Sequence, residues 1–428
     1  MKKKPIILAV SFLGLLAVSC SREYLPAHDD GPAPTTPYRY GIRSAGEAVS
    51  IAQESLDRFY PGTKSEKGKE VSCIIPYVSA STKGTASDTL FYIVNFGENE
   101  GFALVAANPA VSPLLVITES GRYEGGQTDN DGFNIYMESL IAQLSQAPVG
   151  RYDPIVQPDI VDTIRSHASE YVSPMLQSAW HQDPPFGDLT PNGLAGCAAV
   201  ALGQIMAYYE HPDTLHLTYP GSSGVLNLDW PSMITHNSGS ANSSSTNMKN
   251  AQLMRELGER LSMIYGDESY TTTYNVYSLL PSLGFTSGVI SYYSKDGLRH
   301  SLMQDNPALI SAFYSTDIDR GHIWVVDGYQ YDDWSYDYYY FRGFNLDGSM
   351  NLQFGAHDER TTYYFHFNLG HENTTYNGYY IAYDYANQYG VLFPVAQYNT
   401  TLVNIFTEMN NVLPHSDVIY IPSVRINQ

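Results

Sequence analysis

The stretch Gly196-Cys197-Ala198-Ala199-Val200-Ala201-Leu202-Gly203-Gln204-Ile205-Met206-Ala207-Tyr208-Tyr209 reads as a tight turn running straight into a helix. Gly196 permits close backbone approach. The residues after Cys197 are good helix formers, and Pro212 closes the run. A thiol at a helix N-terminus feels the positive end of the macrodipole, which lowers its pKa toward the reactive thiolate. A lone cysteine is as readily a small buried hydrophobe. The stretch by itself leaves both readings open: nucleophile or core residue.

A nucleophilic thiolate needs a base, and the base needs an orienting acceptor on its second ring nitrogen. Gly321-His322-Ile323-Trp324-Val325-Val326-Asp327-Gly328 places His322 at the start of a strongly apolar strand. A histidine there is costly without a partner or a task, although a satisfied core histidine fits the pattern equally well. Phe365-His366-Phe367-Asn368 offers Asn368 as the acceptor at the end of another strand, and Gln182 offers a donor for an oxyanion beside the nucleophile's own N–H.

Around these segments the chain reads as α+β. Ser44 and Glu47 make a capping box for a helix reaching about Tyr60, with Val49, Ala52, Leu56 and Phe59 on one face. Residues 91–96 and 102–106 read as a hairpin, 114–117 as a further strand and 134–144 as a helix, so residues 43–146 are expected to fold as a unit with its own core. Cys73 reads as a buried strand residue. Pro148, Gly150, Pro154 and Pro158 interrupt the chain that follows, and residues 147–170 are expected to link two domains. The second domain, 171–428, opens with helices at 198–209 and 248–265. It then turns to strands near 307–313, 322–326, 338–341, 363–367 and 379–383. Residues 238–245 read as an exposed Ser/Asn-rich loop.

Composition narrows the function classes. The chain has 428 residues and a formal net charge of −21, which argues against nucleic acid and anionic membrane surfaces as partners. The 36 tyrosines suit half-exposed strands better than a carbohydrate-binding surface. Three cysteines cannot build a disulfide framework. The N-terminus reads as a targeting segment: Lys2, Lys3 and Lys4 precede an apolar run over 6–18 that is too short to span a bilayer comfortably. Ala17-Val18-Ser19-Cys20 resembles a lipobox, so residues 1–20 are expected to be a lipoprotein-type signal peptide, with Cys20 lipidated. Residues 21–42, polar and Pro-rich, then form a tether. Ordinary signal-peptide cleavage is the first alternative, and an uncleaved anchor, disfavoured by the short apolar run, is the second.

These motifs jointly resemble the streptopain family of bacterial papain-like cysteine peptidases, over roughly residues 44–385. The resemblance rests on Pro174-Met175-Leu176 leading to Trp180 and Gln182, Gly196-Cys197 with Gln204-Ile205-Met206, Gly321-His322 with Val326-Asp327-Gly328, and His366-Phe367-Asn368 with Gly370 and Asn377-Gly378-Tyr379-Tyr380. Residues 43–146 resemble that family's inhibitory pro-domain through Tyr92, Val94-Asn95-Phe96, Gly101-Phe102-Ala103-Leu104-Val105 and Tyr136-Met137-Glu138-Ser139. The resemblance implies a papain-like fold, helical half plus antiparallel sheet half, behind a small α+β pro-domain. It implies Cys197 as nucleophile, His322 as base and acid, Gln182 as oxyanion donor and Asn368 as the residue orienting His322. It implies protein or peptide substrates, the pro-domain as intramolecular inhibitor, and no cofactor or metal. The leader and lipobox, for their part, imply an extracytoplasmic location with membrane attachment through the N-terminal lipid only, and the irregular Pro-rich connection is expected to be processed at Arg151 or Arg165, releasing the catalytic domain.

Two departures stand out. Leu369 and His371 occupy positions where the family usually has tryptophan, and residues 331–359 look like an inserted Tyr-rich hairpin expected to edge the cleft. The missing tryptophans keep one alternative open, a degenerate homologue that binds peptides or a partner without cleaving them. A transglutaminase-like transferase fits less well, because Asp327 lies too far along its strand to orient His322.

Overall fold

Ser44 and Glu47 close the expected capping box. The Glu47 N–H donates to Ser44 Oγ at 3.2 Å, and the Ser44 N–H donates to the Glu47 carboxylate at 2.7 Å. Two N–H groups that a helix start would leave orphaned are thereby satisfied, and α1 (Ala45–Phe59) follows. Its buried residues Ala48, Val49, Ala52, Leu56 and Phe59 face β1 (Val71–Val78), β2 (Thr89–Phe96), β3 (Phe102–Ala106) and β4 (Leu114–Thr118). After them comes α2 (Asp131–Gln146). This computed structural model describes residues 42–61, 69–78, 89–108, 111–146, 160–314, 320–346, 349–382, 419–421 and 425–426. The expected signal peptide with Cys20, the tether and Arg151 lie outside them.

The rest of the chain supplies the two halves. β5 (Ile160–Val172) leads into α3 (Cys197–Tyr209), which packs with α4 (Ser245–Arg260) around Trp180, Phe186, Leu202, Met206, Leu253 and Leu257. The sheet half is β6 (Ala308–Phe313), β7 (Gly321–Phe344), β8 (Met350–Asn368) and β9 (Gly378–Ala382), each antiparallel to the next. α3 packs on β7, so the helix that begins at Cys197 lies against the strand that begins beside His322. The α+β class expected from the sequence is the class observed.

The sheet does not stop at the domain boundary. β4 pairs antiparallel with β9, through Thr118 with Gly378, Ile117 with Tyr379 and Val116 with Tyr380. One 11-stranded sheet therefore runs from β1 through β4 into β9, β8, β7 and β6. Its core is shared as well: Phe59, Phe102 and Tyr136 belong to the same buried cluster as Trp324, Phe365 and Tyr380. The separate core expected for residues 43–146 is corrected here. Alternating apolar strands look the same whether the partner strand is local or distant, because the pattern specifies a face and not a neighbour.

Other expectations change too. The helix expected over 248–265 ends at Arg260, because Ser262 takes a left-handed conformation with φ 52° and Ile264–Tyr265 forms a short strand. Ala241 in the Ser/Asn-rich loop is buried, and Asn247 ties that loop down by donating to the Ser238 and Ser240 carbonyls. Cys73 is half-buried rather than buried. The 331–359 hairpin is the distal part of the β7–β8 ribbon, paired from Tyr331–Tyr363 out to Phe344–Met350. At ~3.3 Å per residue its near end lies on the order of 30 Å along the strand from His322, so it does not edge the site. It holds β5, which was expected to be part of an irregular linker, in register from Tyr329–Val172 to Tyr340–Ile160. Asp332, 2% exposed, joins the three parts: its carboxylate accepts from Arg58 of α1 at 2.9 Å and from His167 of β5 at 3.0 Å.

Gly378 marks the seam between the two parts of the sheet. A Cβ there would sit 2.3 Å from the Ile117 carbonyl oxygen and 2.8 Å from Thr118 Cα. Gly378→Ala is expected to open the β4–β9 seam at a cost of about 1–3 kcal/mol. Amide hydrogen exchange at residues 116–118 should accelerate roughly tenfold or more, while the β7–β8 centre stays protected. Unchanged exchange at 116–118 would mean that the seam contributes nothing to holding the N-terminal part.

Candidate active site

Cys197 is the first residue of α3, and Gly196 ahead of it has φ 88°. A Cβ on Gly196 would meet Met263 Cε at 2.8 Å and Ser269 Cβ at 3.1 Å, so both conformation and space demand glycine. The Ala195 N–H donates to the Gln182 carbonyl at 2.9 Å. That bond brings the loop carrying Gln182, itself half-buried, beside the turn that presents the thiol.

His322 is the second residue of β7 and 4% exposed. Its Nε2–H donates to the Leu369 carbonyl at 3.0 Å, since a carbonyl can only accept. Nδ1 is then the ring nitrogen left for Cys197. Trp324 stacks near the ring, with centroids 6.1 Å apart. Burial would raise the Cys197 thiol, but the charge of His322 and its hydrogen bond, with the N–H groups of Ile323 and Ala198, outweigh burial and hold the thiol below its ordinary value of 9.0. Burial would likewise lower His322. The Cys197 charge and hydrogen bond, the Leu369 carbonyl and the charge of Asp131 outweigh it, and the imidazole lies above its ordinary 6.5. The two groups stabilise each other's charged forms.

The Asn368 side chain makes its hydrogen bonds elsewhere. Its Oδ1 accepts from Gln204 Nε2 at 3.0 Å and from the Gly370 N–H at 3.2 Å, and its Nδ2 donates to the Ser178 carbonyl at 3.3 Å. Gln204 lies two turns along α3 from Cys197 and is fully buried. Asn368 is thus a brace between the helix carrying the thiol and the sheet carrying the imidazole. The bond to His322 comes from the backbone of the next residue. Asn368 holds the other end of that peptide, because the Gly370 N–H it accepts shares the peptide with the Leu369 carbonyl, and Asn377 fixes the preceding peptide, its Oδ1 accepting from the Leu369 N–H at 2.9 Å. Asn377 and Gln204 stood within motifs noted in the sequence, but nothing in their spacing indicated these contacts.

A loop from the N-terminal part reaches the same place. Asn130 Oδ1 caps α2 by accepting from the Phe133 N–H at 2.8 Å, while its Nδ2 donates to the Leu369 carbonyl at 3.4 Å. A Cβ on Gly132 would lie 2.8 Å from His322 Cδ2 and 3.0 Å from Leu369 Cδ2. Asp131 accepts from Tyr314 Oη at 2.6 Å and from Arg320 at 2.9 Å. Asp129 pairs with His371 at 3.1 Å. Asn130 ahead of α2 is a legible helix start; that this start would be laid on His322 was not legible. Among the described residues no cluster of three or more His, Cys, Asp or Glu could hold a metal ion.

Residues 180–380 match the Peptidase C10 family and residues 42–144 match the Spi protease inhibitor. The chain therefore carries a cysteine peptidase domain of the streptopain kind, preceded by an inhibitor pro-domain. Among curated proteins it is similar to the thiol protease/hemagglutinin PrtT of Porphyromonas gingivalis, 22% identical over 283 residues, which are 57% of this chain and 32% of that protein. The chain thus spans about a third of the length of that relative. Among solved structures it is similar to a mutant fragment of Prevotella intermedia prointerpain A, at 17% identity and a TM-score of 0.48, covering 82% of this chain and 98% of the fragment.

The contact of Gly132 with His322 leaves no room for a side chain. Gly132→Val is expected to push the α2 start off the site, by an overpacking cost of about 1–3 kcal/mol. Alkylation of Cys197 by iodoacetamide in the unprocessed chain should then accelerate roughly tenfold over wild type, with the melting transition retained. An unchanged rate would mean that this loop does not control access to the thiol.

Proposed function

We propose that this protein is an endopeptidase made as a zymogen, cleaving peptide bonds through a Cys197–His322 thiolate–imidazolium pair. The observation that carries the reading is the geometry: Cys197 opens a helix, His322 is hydrogen-bonded to it and held by the Leu369 carbonyl, and a loop of the inhibitor domain lies against the imidazole. The Cys197 thiolate attacks the scissile carbonyl carbon. The oxyanion that forms takes hydrogen bonds from the Cys197 N–H, aided by the α3 dipole, and from the Gln182 side-chain amide. His322 passes its proton to the leaving amine as the C–N bond breaks, giving a thioester. Water, deprotonated by His322, then hydrolyses the thioester and restores the thiol. The Leu369 carbonyl keeps the imidazole turned for both transfers.

Release of the inhibitor domain then follows cleavage between residues 147 and 170. Arg165, one expected processing point, pairs with Tyr336 inside the β5–β7 ladder. Cleavage there needs local opening first, because a peptidase takes its substrate as a free extended strand. The reading also places the protein outside the cytoplasm, attached by lipid on Cys20 until processing. Lipid mass on the N-terminal peptide of the purified protein, lost in Cys20→Ala, checks that part.

Cys197→Ala and His322→Ala are each expected to abolish hydrolysis of a peptide substrate after activation, and Gln182→Ala to lose about 10²–10³ in kcat. Asn368→Ala should keep more activity than either knockout while losing about 1–3 kcal/mol of stability, because buried Gln204 loses an acceptor. Substantial hydrolysis by Cys197→Ala would overturn the reading.

The pH profile of kcat/KM has a definite sign. The lowered thiol keeps its charge to lower pH than a free cysteine, which sets an acid limb below 9.0. The raised imidazole keeps its proton to higher pH, which sets an alkaline limb above 6.5. Each shift widens the range in which both charges coexist. An acid limb at the ordinary thiol value would show that the pair is not formed.

A further inference from the structure

Asp131 is held by a built arrangement on the catalytic domain. Tyr314 Oη and Arg320 Nη2 converge on the same carboxylate oxygen, at 2.6 and 2.9 Å. The two donors are fixed to each other: the Tyr314 N–H donates to the Arg320 carbonyl at 3.0 Å, and the guanidinium lies over the Tyr314 ring, 5.0 Å from its centroid. Tyr314 is 7% exposed. Glu268 approaches the same Nη2 at 3.6 Å, but a guanidinium has five N–H donors and can serve two carboxylates. In a chain of net charge −21, the bulk field repels an incoming carboxylate, so the local donors must be what holds this one.

The arrangement stands next to the reacting groups. Arg320 precedes His322 by two residues, a spacing that sets both side chains on one face of an extended chain. Asp131 precedes Gly132, whose Cβ position lies 2.8 Å from the His322 ring. His322 is the group that protonates the leaving amine, so the residues attached to that amine lie on its side of the scissile bond. We propose that Tyr314 and Arg320 form a specificity subsite for an aspartate or glutamate side chain just after the scissile bond, and that Asp131 fills it in the unprocessed chain. The proposal rests on the peptidase reading above. It makes the inhibitor's carboxylate a stand-in for a substrate's, and it gives the enzyme a preference for acidic sequence on the leaving-group side.

The test uses the full chain, activated by limited proteolysis, on peptides that differ only by Asp or Asn at the first and second positions after the cleaved bond. The expected result is a kcat/KM ratio of roughly tenfold or more in favour of Asp at one position, as a charge-assisted hydrogen bond supplies. The ratio should fall toward one in Arg320→Gln and be partly restored in Arg320→Lys. Cleavage with no Asp preference, or a preference that Arg320→Gln leaves in place, overturns the subsite and leaves the peptidase reading standing. That outcome would assign Asp131 to anchoring the inhibitor alone. No cleavage of any peptide, with Cys197 unreactive to iodoacetamide, overturns the peptidase reading and the subsite with it.

Discussion

The carbonyl of Leu369 is the atom on which the site turns. It receives the His322 Nε2–H and so sets which nitrogen faces the thiol. Its own peptide is held at the other end by Asn368, whose Oδ1 accepts from the Gly370 N–H, the preceding peptide is held by Asn377, and Gly370 turns the chain with φ 62°. Asn130 of the inhibitor domain donates to the same oxygen. The bond that orients His322 and the contact from Asn130 thus share one acceptor. A backbone carbonyl serves this role whatever side chain the residue carries. Leucine in place of an indole therefore leaves the orienting atom intact and changes only what covers it.

The inhibitor domain is more than a plug. Its sheet continues the catalytic sheet at β4–β9, its aromatic residues share the catalytic core, and Arg58 reaches Asp332 far from the thiol. Burial of apolar surface along that seam contributes to the attachment, at about 25 cal/mol per Å². The polar contacts at Leu369, Arg320 and Asp332 fix its register. Substitutions far from His322 can therefore alter latency, because the site is covered by a body docked along a whole sheet edge.

The local structure of this protein was legible in its sequence, and the long-range pairings were not. Cys197 at a glycine turn before a helix, His322 at a strand entrance and the Ser44–Glu47 box are each short-range signals, and each element stands where its pattern puts it. Asn368 was read as orienting His322 because its type and place at a strand end allowed it. The structure spends that amide on Gln204, Ser178 and Gly370, and no local pattern separates these uses. The pairing of β5 with the tyrosine-rich ribbon was hidden by prolines upstream, which made the whole connection read as irregular. Asp131 and Arg320 are separated by a long stretch of chain, and ordinary surface charges give no sign of meeting.

The β4–β9 seam has a consequence for the processing proposed above. While residues 42–146 are in place, β9 is an interior strand, its backbone groups satisfied on both sides. Departure of β4 turns Gly378–Tyr380 into a bare edge, a row of amide donors and carbonyl acceptors facing water beside the tyrosines that β4 had covered. Such an edge invites any extended chain to add itself. Under the processing proposed above, the mature form inherits a sticky margin, short enough to limit self-association, and with glycine at the one position where an approaching backbone needs room.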